Sequence, residues 1–175
     1  MEFKTYLIVP KDRIGVLIGK SGKVREKIEK LTGVKLDINS KTGEVDILYD
    51  ENSAENALKA KNIVQAIARG FSPENALLLA SDDYYLVTVN IQDIVGKSRN
   101  ALIRQRARVI GTQGKARKMF ETLTGTKVSI YGKTVSIIGP LENVEIAKEG
   151  IVMLLNGTPH GDVYKHIQRR MQNIF

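Results

Sequence analysis

The chain has 175 residues, enough for two modules of about 80 residues each, with 42% hydrophobic and 26% charged side chains, as in ordinary globular domains. No stretch approaches the roughly 20 uninterrupted apolar residues of a membrane span, and the lack of cysteine removes disulfides, thiolate metal sites and cysteine nucleophiles together. The net charge of +8 points to a polyanionic partner, and it is uneven: residues 81–175 hold 14 basic and 8 acidic side chains, against 13 and 11 in residues 1–80. Between Lys97 and Lys118 there are eight basic residues and no acidic one.

In chain order, Lys4 to Pro10 reads as a first strand rather than an export leader, which predicts a soluble, cytoplasmic protein. Asp12 is the expected N-cap of a short helix ending at Ile18. After Gly19-Lys20-Ser21-Gly22, a helix from Lys23 places Val24, Ile28 and Leu31 on one face and stops at Gly33. Val34–Ile38 and Glu44–Leu48 read as paired strands. Ser53 is the expected cap of a long helix with Leu58, Ile63, Ile67 and Phe71 inward. Residues 76–83 form a linker too apolar, at Leu77-Leu78-Leu79, to be a free tether, so it is expected to pack and fix the modules relative to each other.

The second half repeats this order. A strand at Tyr84–Asn90 leads through about a dozen additional residues, read as a longer, very basic first helix, to Ile110 and the turn Gly111-Thr112-Gln113-Gly114. A helix with Ala116, Phe120 and Leu123 on one face follows, then strands at Lys127–Tyr131 and Thr134–Ile138 and a helix from Leu141 to about Leu155. From Gly161 a last helix presents Val163, Tyr164, Ile167, Met171 and Ile174 at spacings of three and four, a stripe expected to cover apolar surface on the core or a partner. His160 and His166 are six apart, off the spacing of a helical metal-binding pair, so no metal and no cofactor is expected.

An offset of 92 residues superimposes the halves: over positions 18 to 38, 11 of 21 residues are identical. Each copy carries a Gly-x-x-Gly turn after an isoleucine, between predicted helices, followed by Lys, one residue and Arg. Such a turn exposes backbone N–H groups where the next helix's dipole favours anions, and its glycines let a sugar-phosphate backbone come close.

This arrangement resembles the KH domain, whose Gly-x-x-Gly loop clamps about four nucleotides of single-stranded RNA. The resemblance implies an α+β protein of two tandem type I KH domains, each a three-stranded antiparallel sheet packed on three helices, at residues 1–75 and 84–157, with the C-terminal helix in residues 158–175. It places the first groove at Arg13, Ile14, Gly15, Ile18, the turn Gly19, Lys20, Ser21 and Gly22, then Lys23 and Arg25, facing Lys35 and Ile38. The second lies at Arg104, Arg106, Arg108, Val109, Ile110, the turn Gly111, Thr112, Gln113 and Gly114, then Lys115, Arg117 and Lys118, facing Lys127 and Ile130. Thr112 and Gln113 lack the charge of Lys20, so phosphate attraction there falls to the neighbouring arginines and lysines.

Further segments narrow the family. Arg69-Gly70-Phe71-Ser72-Pro73, Lys97-Ser98-Arg99-Asn100-Ala101, Gly157-Thr158-Pro159-His160 and Val163-Tyr164 are similar to the archaeal partner-of-Nob family of small-subunit assembly proteins. That resemblance implies binding of small-subunit ribosomal RNA near its 3′ end, beside an endonuclease that matures that end and other assembly or initiation proteins. Both turns are intact and no segment precedes the first strand, which favours the archaeal over a nuclear form. Two other readings compete: a KH adaptor in RNA decay or translation initiation, and a phosphate-loop NTPase suggested by Gly19-Lys20-Ser21. The latter needs four residues between its first glycine and Gly-Lys, and Gly15 leaves three. No reaction is therefore expected.

Overall fold

In the computed structural model, which describes residues 1–174, the chain divides into two compact units, Met1–Asp82 and Asp83–Phe175. In the first, β1 (Glu2–Ile8) leads to α1 (Lys11–Ile18), the turn, α2 (Lys23–Thr32), β2 (Lys35–Ile38), β3 (Glu44–Asp50) and α3 (Ala54–Ala68). The sheet is antiparallel in the order β1-β3-β2, with Leu7 opposite Val45 and Leu36 opposite Ile47. These inward residues alternate with polar ones along each strand, and the apolar face packs on the helices.

Four local expectations are corrected. Pro10, not Asp12, occupies the N-cap of α1, and Asp12 sits in its first turn. Its missing N–H costs nothing before a helix. On α2 the buried stripe runs from Ile28 to Thr32, while Leu31 is exposed. Four residues per step hold the stripe on one face, and the Thr32 hydroxyl is satisfied by donating to the Ile28 carbonyl at 2.7 Å. Leu58 is likewise exposed, because α3 buries a broad face of Ala57, Ala60, Ile63, Val64 and Ile67 instead. Ser53 makes no cap bond to α3. It exchanges backbone-to-side-chain hydrogen bonds with Asp50, both at 3.0 Å, around a short 3-10 turn. The Ser53 backbone N–H lowers the Asp50 carboxyl pKa.

Residues after α3 pack within the first unit. Ser72 caps α4 (Pro73–Ala76), a 3-10 turn continues through Leu77–Ala80, and Ala76 and Leu79 are buried.

The second unit repeats the order with β4 (Tyr85–Asn90), α5 (Ile91–Val95), α6 (Arg99–Ile110), α7 (Lys115–Thr124), β5 (Lys127–Tyr131), β6 (Thr134–Gly139), α8 (Leu141–Leu155) and α9 (His160–Gln172). Its sheet order, β4-β6-β5, is the same. The additional residues are not one longer helix. Asn90 caps α5, Gly96 breaks the chain at φ 88°, and Ser98 caps α6 afresh. Val163 and Ile167 of α9 are fully buried against a core that includes Phe120, Ile151 and Leu154, with Tyr164, Met171 and Ile174 at its edge. The stripe thus closes the unit's own core. Gly150 permits this approach: a Cβ there would lie 2.5 Å from the Ile167 side chain.

Candidate nucleic-acid interface

The two turns have nearly the same backbone. Gly19 and Gly111 both lie at φ 75°, with ψ 175° and 171°, while Ser21 and Gln113 share φ 55° and ψ 30°. The first pair sits in a region open essentially only to glycine. A Cβ on Gly19 would meet the Val24 nitrogen at 2.9 Å, and one on Gly111 the Ala116 nitrogen at 2.6 Å. These glycines set the tight entry to the next helix. Gly22 and Gly114 do something else: a Cβ on Gly22 would meet nothing within 4 Å, and one on Gly114 only the tip of Arg117. They leave open space at the N-terminal ends of α2 and α7, where the helix dipole favours an anion, although the Lys23 and Lys115 N–H groups themselves donate to the Lys20 and Thr112 carbonyls.

The strand walls are tied to the turns through a repeated carboxylate. Leu36 donates its N–H to Glu29, and Val128 donates to Glu121, both at 2.9 Å. Arg25 approaches Glu29 at 4.0 Å, and Arg117 bonds Glu121 at 3.1 Å. Each glutamate therefore holds β2 or β5 beside the helix that follows the turn. The sequence reading missed Glu29 and Glu121. Their signal was their recurrence at the 92-residue offset in segments otherwise rich in positive charge.

The other expected residues divide by what they touch. Ile14 and Val109 are buried in the core rather than open to a groove, whereas Ile18, Ile38, Ile110 and Ile130 are half-buried. Arg13 and Arg108 are also corrected. Arg13 donates to the carbonyls of Ile67 and Phe71 at 2.8 and 2.7 Å, and Arg108 to those of Leu154 and Thr158 at 2.7 and 3.0 Å. Each fork adds a second donor to a carbonyl in the last turn of α3 or α8, where a cation is favoured, and also binds a carbonyl just past the helix end.

Among the described residues, the remaining predicted positions are open to solvent. Gly15, Lys20, Ser21, Lys23 and Lys35 are exposed in the first unit, as are Arg104, Thr112, Gln113, Lys115, Lys118 and Lys127 in the second. Arg106 is the unusual member: its Nε is buried and has no hydrogen-bond partner among the described residues. The repeat puts it where the first unit has Ile14. A desolvated donor left unpaired costs about 1–3 kcal/mol.

Residues 85–172 match the family model described as the eukaryotic type KH-domain (KH-domain type I), and residues 4–66 match the KH domain model. A KH domain-containing protein of Methanocaldococcus jannaschii is 49% identical over 171 residues, covering 96% of this chain and 74% of that protein. The RNA-binding protein pno1 of Dictyostelium discoideum is 28% identical over 163 residues, covering 91% of this chain and 68% of that one. Among solved structures, the aDim2p-containing complex with a/eIF2alpha and rRNA from Pyrococcus horikoshii OT3 is similar at TM-score 0.91 and 45% identity, covering 98% of this chain and 96% of that one.

Proposed function

The chain belongs to the archaeal partner-of-Nob family of two-KH proteins of pre-rRNA processing, and from that membership we propose that it holds single-stranded small-subunit ribosomal RNA near its 3′ end and assists maturation there. The observation that carries this reading is the pair of matching turns, each open at a helix N-terminus and flanked by exposed lysines, Lys20 and Lys23 in the first and Lys115 and Lys118 in the second. A strand of RNA offers what such a turn lacks: a closely spaced row of phosphates with bases free to enter the neighbouring cleft. We assign the clamp to residues 19–22 with Lys23, Lys35 and Ile38, and to residues 111–114 with Arg106, Lys115, Lys118, Lys127 and Ile130. Residues 1–75 and 84–157 are the two modules, with 76–83 as the linker between them.

The chain acts by binding, in the cytoplasm, and an endonuclease and initiation or assembly proteins are its expected company. The aDim2p of the Pyrococcus complex is joined there by a/eIF2alpha and rRNA, which supports an RNA partner and an initiation-factor partner. The NTPase alternative loses its structural premise, since helix α1 rather than a strand precedes Gly19. RNA cross-linked to the chain in cells and sequenced tests the proposal. Enrichment of the 3′ region of small-subunit RNA is expected, and recovery dominated by messenger RNA would favour the decay-adaptor reading instead.

A further inference from the structure

A cavity of about 570 Å³ opens beside the second turn, between α6, α7 and α9, and no residue of β5 lines it. Ala116 and Met119 lie on the face of α7 away from Glu121, which holds β5, so this is a second concavity and not the KH cleft. Ala116, Met119 and the ring of Tyr164 supply apolar walls. Tyr164 is fixed in place by an edge contact with Phe120, ring centres 5.9 Å apart, and burial raises its phenol pKa, keeping it neutral. His160 stands beside that ring and is itself anchored on the Arg108 carbonyl at 2.9 Å.

The charges at this cavity are not equivalent. Arg108 is committed to the carbonyls that end α8, but Arg104 and Lys115 are exposed on opposite walls. Among the described residues, no carboxylate lines the cavity. The first module does not reproduce this chemistry: the offset of 92 puts Asp12 at Arg104, Gly15 at Ala107 and Lys27 at Met119.

We propose that this cavity is a nucleobase site, taking one unstacked base of the same RNA strand whose phosphates lie at the second turn. The inference rests on the RNA-binding reading above. Gly111 and Thr112 belong to both the turn and the cavity, so a nucleotide adjoining the clamped ones reaches it without crossing another element. A shallower hollow continues from Thr112 and Gln113 to Lys118 and Thr122, sharing Lys115 and Met119, and gives the sugar-phosphate backbone a cationic path. Flat apolar walls with an aromatic ring and a thioether suit the face of a base, and the free cations suit its phosphates. An acidic peptide could meet the same two cations, but an RNA strand clamped at the second turn would bring a base to the cavity through the shared Gly111 and Thr112.

An abasic scan of a single-stranded RNA bound to the full wild-type chain tests this without altering the protein. Removing one base outside the four clamped nucleotides is expected to weaken binding about tenfold, the scale of one stacked base. Ala107→Phe fills the cavity from the exposed face of α6 and is expected to flatten the scan at that position, while abasic sites within the clamp still weaken binding. A wild-type scan flat everywhere outside the clamp overturns the proposal, as does an unchanged profile in Ala107→Phe. A flat scan together with capture of an acidic, leucine-bearing peptide by wild type and not by Ala107→Phe also overturns it, assigning the cavity to a protein. Failure of the intact RNA to bind is a separate result and sinks the parent reading.

Discussion

Thr112→Asp with Gln113→Asp tests whether the second turn clamps phosphate through its backbone. Both side chains are exposed, and Gln113 is left-handed at φ 55° and ψ 30°, a conformation that aspartate tolerates better than most residues. Folding stability should therefore change by no more than about 0.5 kcal/mol. Binding should change far more. A carboxylate about 5 Å from a phosphate is repelled by roughly 0.8 kcal/mol in bulk water and roughly 3 kcal/mol at the effective dielectric of a protein surface. For two such charges, a total of about 2 kcal/mol is a conservative value, equivalent to about a 30-fold loss of affinity. The same pair of changes at Lys20 and Ser21 also removes one cation. With seven acidic and 14 basic residues in 83–175, the second module is expected to contribute more affinity and the first more register. The assay is fluorescence anisotropy with labelled single-stranded RNA at fixed salt, with thermal melting as the folding control. Wild-type affinity in both double variants, with intact melting, would falsify the clamp and leave RNA to bind elsewhere on the basic surface.

Three other outcomes follow from the same geometry. Removing Lys115 and Lys118 together should reduce the slope of log affinity against log salt by about 0.7 for each phosphate no longer neutralised, and removing Arg117, paired with Glu121, should add less; an unchanged slope would mean that these lysines only solvate the surface. Gly111→Ala should destabilise the second unit by about 2–4 kcal/mol, from glycine-only dihedrals and a Cβ 2.6 Å from the Ala116 nitrogen, and a melt equal to wild type would refute that account. Partial burial by itself would raise the Glu149 pKa, but hydrogen bonds from His166 and Arg170 outweigh it and hold the folded value below the ordinary 4.5. The stabilisation it gives α9 is then complete above pH 4.5 and is lost as pH falls through the lowered value. Melting of Glu149→Gln against wild type should show a gap that closes in acid; a gap constant down to about pH 3 would refute the linkage.

The sequence alone determined the duplication, the strand and helix order common to both modules, the two Gly-x-x-Gly turns and the buried stripe of α9. These are local or periodic properties: a glycine pair before Lys-x-Arg, or apolar residues three and four apart, carry their meaning in any surroundings. Tertiary structure decided which charges are available. Arg13 and Arg108 look like RNA ligands just before their turns, yet each is spent on carbonyls at or just past the end of a helix, at least 46 residues away. Glu29 and Glu121 look like stray acids, yet each holds a strand beside its turn. Leu31 and Leu58 show the same limit for packing, because which side of a helix is covered depends on neighbours distant in the chain. A guanidinium goes to whichever acceptors folding brings near it, and linear spacing does not encode that distance.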